Sequence, residues 1–155
     1  MSDAKRFNQH IIKSKDPAGC WVWVGAISND GYGIFWRKNP QTGKDQAVRA
    51  HRYALALVHG ELGQDLHALH RCDNTLCVKA TADEASHLIL GNRAENMADR
   101  SRRGRSNFQI GATQSKEQRA EAARKLRLIT LRKGYDQQAV NELMKGIPAG
   151  QLPLF

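Results

Sequence analysis

His70-Arg71-Cys72-Asp73-Asn74-Thr75-Leu76-Cys77 is the stretch on which the reading of this chain turns. Two thiols separated by four residues, with His87 just downstream, supply most of the donors of a tetrahedral zinc site. Cys20, the remaining cysteine, completes a Cys3His set with Cys72, Cys77 and His87. An odd cysteine count argues against a disulfide framework; the alternative is that each thiol is a small buried hydrophobe. His70 lies two residues before the first knuckle thiol, where a metal-braced loop would hold an imidazole rigidly. A structural metal beside a fixed base lets a small scaffold carry hydrolytic chemistry.

Working outward, Leu66 to His70 alternates as a strand, with Leu66, Ala68 and His70 on one face and His67 and Leu69 on the other. His87 to Leu90 reads as a second strand. Asn92 followed three residues later by Glu95 is an Asn version of the capping box, opening a helix to about Arg103. Strand, metal loop, strand and helix follow one another as in a ββα-metal finger. Upstream, Cys20–Val24 reads as a strand ended by Gly25, and Tyr32–Arg37 as its hairpin partner across Asn29-Asp30-Gly31. Gln46–Ala50 is a third strand, and His51–His59 a short helix closed by Gly60.

The expected organisation is a polar lead-in at 1–18, a core domain at 19–105, a linker at 106–115, a basic helical extension at 116–146 and a flexible tail at 147–155. The extension holds a helix over Lys116–Lys133, with Ala122, Leu126, Ile129 and Leu131 as apolar anchors, and a shorter one over Asp136–Lys145. The fold class is α+β: a zinc-stapled ββα-metal core with N-terminal antiparallel strands.

A chain of 155 residues suits one small domain. No apolar run approaches the roughly 18 residues of a membrane span, and no apolar h-region follows the N-terminus. The expected setting is the cytoplasm of a bacterial or phage-infected cell. Net charge is +9, and between Arg93 and Lys133 there are 12 Lys/Arg against 4 Asp/Glu. Such a stripe is the footprint of a phosphate-backbone binder, with a solvated helical surface as the bland alternative. Lipid is disfavoured because no apolar face with aromatic anchors accompanies the charge. Double-stranded DNA is the expected partner, met by Arg100, Arg102, Arg103 and Arg105. Arg52 either steadies a phosphate or braces the fold. His51 is expected to pack at a strand end, and one of Trp21 and Trp23 to be core.

Phosphodiester hydrolysis needs a base for water, neutralisation of charge and stabilisation of the leaving oxygen. His70 can be the base, and Asn96, one turn into the following helix, can hold a divalent ion opposite it. Gly19-Cys20-Trp21-Val22-Trp23-Val24-Gly25, Ala50-His51-Arg52, His70 to Val78, His87-Leu88, Gly91 and Glu95-Asn96-Met97-Ala98-Asp99 together resemble the HNH, or His-Me finger, endonucleases. The likeness spans roughly residues 19–105 and lies nearest the phage and bacterial branch related to His-Cys box homing endonucleases. By position it implies His70 as general base, Asn96 as ligand of a catalytic Mg2+ (Mn2+ being tolerated), and Cys20, Cys72, Cys77 and His87 as structural zinc ligands. The implied products carry a 5′-phosphate and a 3′-hydroxyl.

Three departures stand out. The family's short Asn-Pro-x-His link after the second knuckle thiol is replaced by the longer Val78 to His87, which makes Asp83 or Glu84 fallback ligands. Asn92 stands where Thr is usual, a rival to Asn96 as ligand. Leu69 occupies the place of the Asp that many HNH enzymes carry before the catalytic His.

Finally, Gln151-Leu152-Pro153-Leu154-Phe155 resembles the peptide by which bacterial replication and repair proteins dock into the sliding clamp, with Gln151, Leu152, Leu154 and Phe155 as anchors. The leading expectation is therefore a metal-dependent endonuclease or nickase, with a homodimer as the route to double-strand cutting. Its alternative is a non-catalytic zinc-stabilised DNA-binding or clamp-associated module.

Overall fold

Aromatic and β-branched residues in short runs, each cut off by glycine or a polar turn, give short paired strands here rather than one broad sheet. The computed structural model describes residues 1–92, 94, 97–98 and 115–144. In chain order its elements are α1 (Asp3–Asn8), β1 (Ile11–Lys13), β2 (Trp21–Trp23), β3 (Ile34–Lys38), β4 (Asp45–Arg49), α2 (Ala50–His59), β5 (His67–His70), β6 (Leu88–Gly91), α3 (Lys116–Lys133) and α4 (Gln137–Met144). The strands form three antiparallel pairs, β1–β2, β3–β4 and β5–β6. The fold is α+β, as expected.

The N-terminus departs from expectation. Residues 1–18 are not a detached polar lead-in: α1 is capped by Ser2, whose Oγ accepts from the Lys5 N–H, and β1 pairs with β2 from Ile11↔Trp23 to Lys13↔Trp21. Phe7 is buried in an aromatic cluster, its ring centroid 4.9 Å from Trp23, 5.1 Å from Phe35 and 4.8 Å from Tyr53. One aromatic on a six-residue helix leaves no periodic signal, which is why the segment reads as polar. Phe7→Ala is expected to cost about 3–5 kcal/mol, the usual range for deleting a buried aromatic. Urea unfolding followed by Trp fluorescence measures it; an unchanged midpoint would return the segment to a lead-in.

The expected hairpin between Cys20–Val24 and Tyr32–Arg37 does not form. On one edge β2 takes β1; on the other it meets the knuckle through a Val22↔Cys77 bridge, with Trp23 N–H donating to Leu76 O and Val78 N–H to Trp21 O, both at 2.8 Å. What separates β2 from β3 is the Trp23 indole. A Cβ at either Gly25 or Gly33 would lie 2.4 Å from that ring, so both glycines yield space to it. β3 pairs instead with β4, in register from Ile34↔Arg49 to Lys38↔Asp45.

α2 buries Ala50, Tyr53, Ala54 and Leu55. The loop before β3 is pinned by the Asp30 carboxylate, which accepts from both Arg49 terminal nitrogens at 2.7 and 2.8 Å; that guanidinium holds the carboxyl far below the usual range. β5 and β6 pair from His67↔Gly91 to His70↔Leu88.

A full capping box opens α3: Ser115 Oγ accepts from Gln118 N–H and Gln118 Oε1 from Ser115 N–H. Gly134, at φ 82°, ends it. The buried face is Ala120, Ala122, Ala123, Leu126 and Thr130. Ile129 is half-buried, and Leu131, an expected anchor, is exposed because it falls off that face. Ala123, Leu126, Ala139 and Val140 belong to the same core as Trp23 and Leu76, and Arg127 Nε donates to Val24 O at 2.9 Å. Thus α3 and α4 complete the domain rather than hang from it. No helix among the described residues is long and apolar enough to cross a membrane.

Candidate metal centre

Asp73 turns the knuckle by adopting φ 64°, a conformation that Asp tolerates better than most residues. Asn74 closes it, accepting from Leu76 N–H at Oδ1 (2.9 Å) and from Cys77 N–H at its backbone oxygen (3.0 Å). Thr75 Oγ1 donates to Gly31 O at 2.6 Å, fastening the knuckle to the loop before β3. Cys20 arrives from the residue before β2, positioned by Lys79, whose ammonium donates to Pro17 O and Gly19 O. The Lys79 carbonyl accepts the N–H groups of His87 (3.0 Å) and Leu88 (3.2 Å), so one residue fixes the approach of two donors.

The ligand atoms of Cys20, Cys72, Cys77 and His87 all lie within 4.8 Å of one another. His87 Nδ1 is 3.5 Å from Cys20 Sγ and 3.6 Å from Cys77 Sγ. A tetrahedral zinc roughly 2.3 Å from sulfur and 2.05 Å from nitrogen has an S···N edge of about 3.6 Å. The donor set therefore fits zinc in type and spacing. Cys20 and Cys77 are buried, Cys72 and His87 half-buried. A cavity of about 200 Å3, lined by Cys20, Arg71, Cys72, His87 and Gln137, opens on one side and offers an entry path.

Electrostatics point the same way. Cys72 and Cys77 donate toward the Cys20 sulfur and hold its thiol down at about 2. Cys72 is pushed up to about 12, chiefly by hydrogen bonding with Cys20, and Cys77 is pushed well up by burial and then by its two sulfur neighbours. Three sulfurs this close cannot all ionise on their own. A divalent cation lets them, releasing protons as it binds.

The lengthened link does not displace His87. Thr81 Oγ1 and the Ala85 N–H donate to Asp83 at 2.6 and 3.1 Å, and Thr81 N–H donates to Ser86 Oγ at 3.1 Å, so the insertion folds on itself. Neither Asp83 nor Glu84 joins the cluster.

His70, at the end of β5, lies beside this centre. Its Nε2 is 3.1 Å from the Cys77 carbonyl oxygen. A carbonyl can only accept, so Nε2 carries the proton and, in the neutral ring, the lone pair is on Nδ1. His51, at the start of α2, packs against it at 4.8 Å between centroids, with Tyr32 5.3 Å from His51 and 6.1 Å from His70. Burial, and then His70, push the His51 pKa well below 6.5. This contact was not foreseen; the adjacency of Ala50-His51-Arg52 to a helix start was the available hint. Arg52 donates to Gly63 O at 2.5 Å and to Leu66 O, bracing the turn that leads into β5. Trp23 is the core tryptophan, while Trp21 is half-buried with the Lys13 ammonium 4.0 Å above its ring.

Ala94, Met97 and Ala98 are helical, in line with a helix opening near Asn92, which is itself exposed. Asn96, Arg100, Arg102, Arg103, Arg105, Gln151, Leu152, Leu154 and Phe155 lie outside the described residues.

No protein-family model matches this chain. No solved structure matches it either. Among curated proteins it is 32% identical over 143 residues to protein 2.8 of Escherichia phage T7, an alignment covering 87% of this chain and 88% of the phage protein. On that identity and coverage, the chain belongs to the family of phage T7 protein 2.8.

Proposed function

We propose that the chain is a metal-dependent DNA endonuclease or nickase of the HNH type, its β5–knuckle–β6 unit serving as the strand part of a ββα-metal core. The observation that carries this reading is the hydrogen bond from His70 Nε2 to the Cys77 carbonyl. It ties the imidazole to the zinc knuckle and sets the tautomer in which Nδ1 accepts a proton from water. Zinc is architectural in this scheme. Mg2+ or Mn2+, when held through Asn96, supplies charge neutralisation at the phosphate and stabilisation of the leaving 3′-oxygen. His51, neutral and packed against the base, limits its tilt.

DNA is held by its backbone. Lys116, Arg124, Lys125, Arg132 and Lys133 are exposed on α3, and Arg100, Arg102, Arg103 and Arg105 extend that charge in sequence. Such contacts position a duplex without reading its sequence. Arg52 adds a phosphate contact only with donors beyond those spent on Gly63 and Leu66. The phage relative makes an infected bacterial cell the natural setting. The test is incubation of supercoiled plasmid with the zinc-loaded protein and Mg2+ or Mn2+. Open circles establish a nickase and direct linear product a paired cutter; intact plasmid with retained binding leaves a non-catalytic module.

The clamp-like peptide Gln151 to Phe155 favours a second role, recruitment to replicating DNA. Deleting residues 151–155 is expected to abolish pull-down by bacterial sliding clamp while naked-DNA cleavage stays unchanged. Pull-down that survives the deletion removes this role.

A further inference from the structure

Asn74 is fully buried between the two knuckle cysteines. Its side-chain oxygen is committed to the Leu76 N–H at 2.9 Å. That bond also settles the orientation of the amide: flipping it would set an NH2 group against an N–H, donor against donor. Nδ2 therefore points away from Leu76. It is buried with no hydrogen-bond partner. Buried donors are rarely left idle, and an unpaired one calls for a physical account.

The candidate acceptors beside this position are the sulfurs of the metal cluster. Cys72 and Cys77 flank Asn74 in sequence, and Cys20, just before β2, closes the cluster. Three thiolates and one Zn2+ sum to a formal charge of −1, in a place where Cys20 and Cys77 are screened from water. A buried anionic centre is stabilised by N–H groups aimed at its sulfurs, and such outer partners tune both ligand basicity and metal affinity. We propose that, in the metal-loaded protein, the Asn74 amide donates an N–H···S hydrogen bond to a thiolate of the metal centre and thereby strengthens metal binding. Asn74 thus does two jobs: its oxygen shapes the knuckle, and its nitrogen serves the sulfurs of the metal centre. None of this depends on whether the chain cuts DNA.

Full-length 15N-labelled protein loaded with 113Cd2+ tests the bond without any substitution. A through-bond correlation between the Asn74 side-chain amide proton and cadmium, passing through sulfur, is expected. Its absence in a cadmium-loaded sample overturns the proposal. Asn74→Asp then separates the two jobs, because Asp keeps the acceptor for Leu76 N–H and loses the amide donor. Zinc affinity by chelator competition is expected to fall about 10- to 100-fold, with the sulfur-to-metal charge-transfer band of the Co2+ form moving to lower energy. Asn74→Asp at wild-type affinity and band position would show that Asn74 merely forms the turn. Wild type that takes up neither zinc nor cadmium would overturn the metal centre itself, a result distinct from loss of this one bond.

Discussion

His70→Ala is expected to lower plasmid cleavage by about 10²- to 10⁴-fold, the usual contribution of a positioned general base, while DNA affinity stays within a factor of two or so of wild type. The two parts separate because, in the function proposed above, affinity comes from phosphate contacts of the exposed α3 cations, whereas His70 is held at the knuckle carbonyl. The substitution also removes one hydrogen bond to the Cys77 carbonyl. That loss is worth about 1 kcal/mol, too little to unfold the domain, and zinc content measured on the same sample verifies the knuckle. Cleavage and binding that fall together would mark His70 as a structural residue, satisfied by backbone. Cleavage that survives would end the nuclease mechanism proposed above. Residual activity should not recover with added Mg2+, since the missing function is proton transfer and not metal occupancy.

Much of the local architecture was legible, and the reasons are physical. The helix over Lys116–Lys133 was legible as a unit; the Ser115–Gln118 capping box that opens it, not read beforehand, is local chemistry. The four metal donors could be gathered from spacing and count, because thiolate and imidazole suit the same ion whatever lies between them. Even the ten-residue link from Val78 to His87 was harmless, as its extra residues bond among themselves through Asp83 and Ser86. Partner choice was not legible. Nothing near Cys20–Val24 reveals that its strand pairs with Ile11–Lys13 and the knuckle, or that a tryptophan side chain keeps Ile34–Lys38 away. Long-range pairing is decided by packing, and a single buried Phe7 weighs more there than a window of polar residues. The same holds at the site: the His51–His70 contact joins residues 19 apart in sequence and left no periodic trace.

Replacing any one of the four metal ligands is expected to have the largest effect on stability, and the pattern across ligands matters more than its size. Cys77→Ser removes a donor from a position that is fully buried, adjoins Val22 of β2 and supplies the carbonyl that holds His70. Structural zinc in small fingers contributes an apparent ~10–16 kcal/mol. Phe7, Trp23, Phe35 and Tyr53 share a core with Cys20 and Cys77 but ligate nothing, so part of the fold outlasts the metal. A loss of about 4–5 kcal/mol is then expected, which for a chain of this size is roughly a 10–20 °C drop in Tm. EDTA should produce a similar drop in wild type and almost none in Cys77→Ser. Ligands of one ion are lost as a unit, so Cys20→Ser combined with Cys72→Ser should destabilise little more than either alone. Three thiols acting only as small hydrophobes would behave differently: each substitution would cost a modest amount, the costs would add, and chelator would change nothing. Differential scanning calorimetry of the single and double variants, with and without EDTA, decides between a metal centre and an apolar cluster.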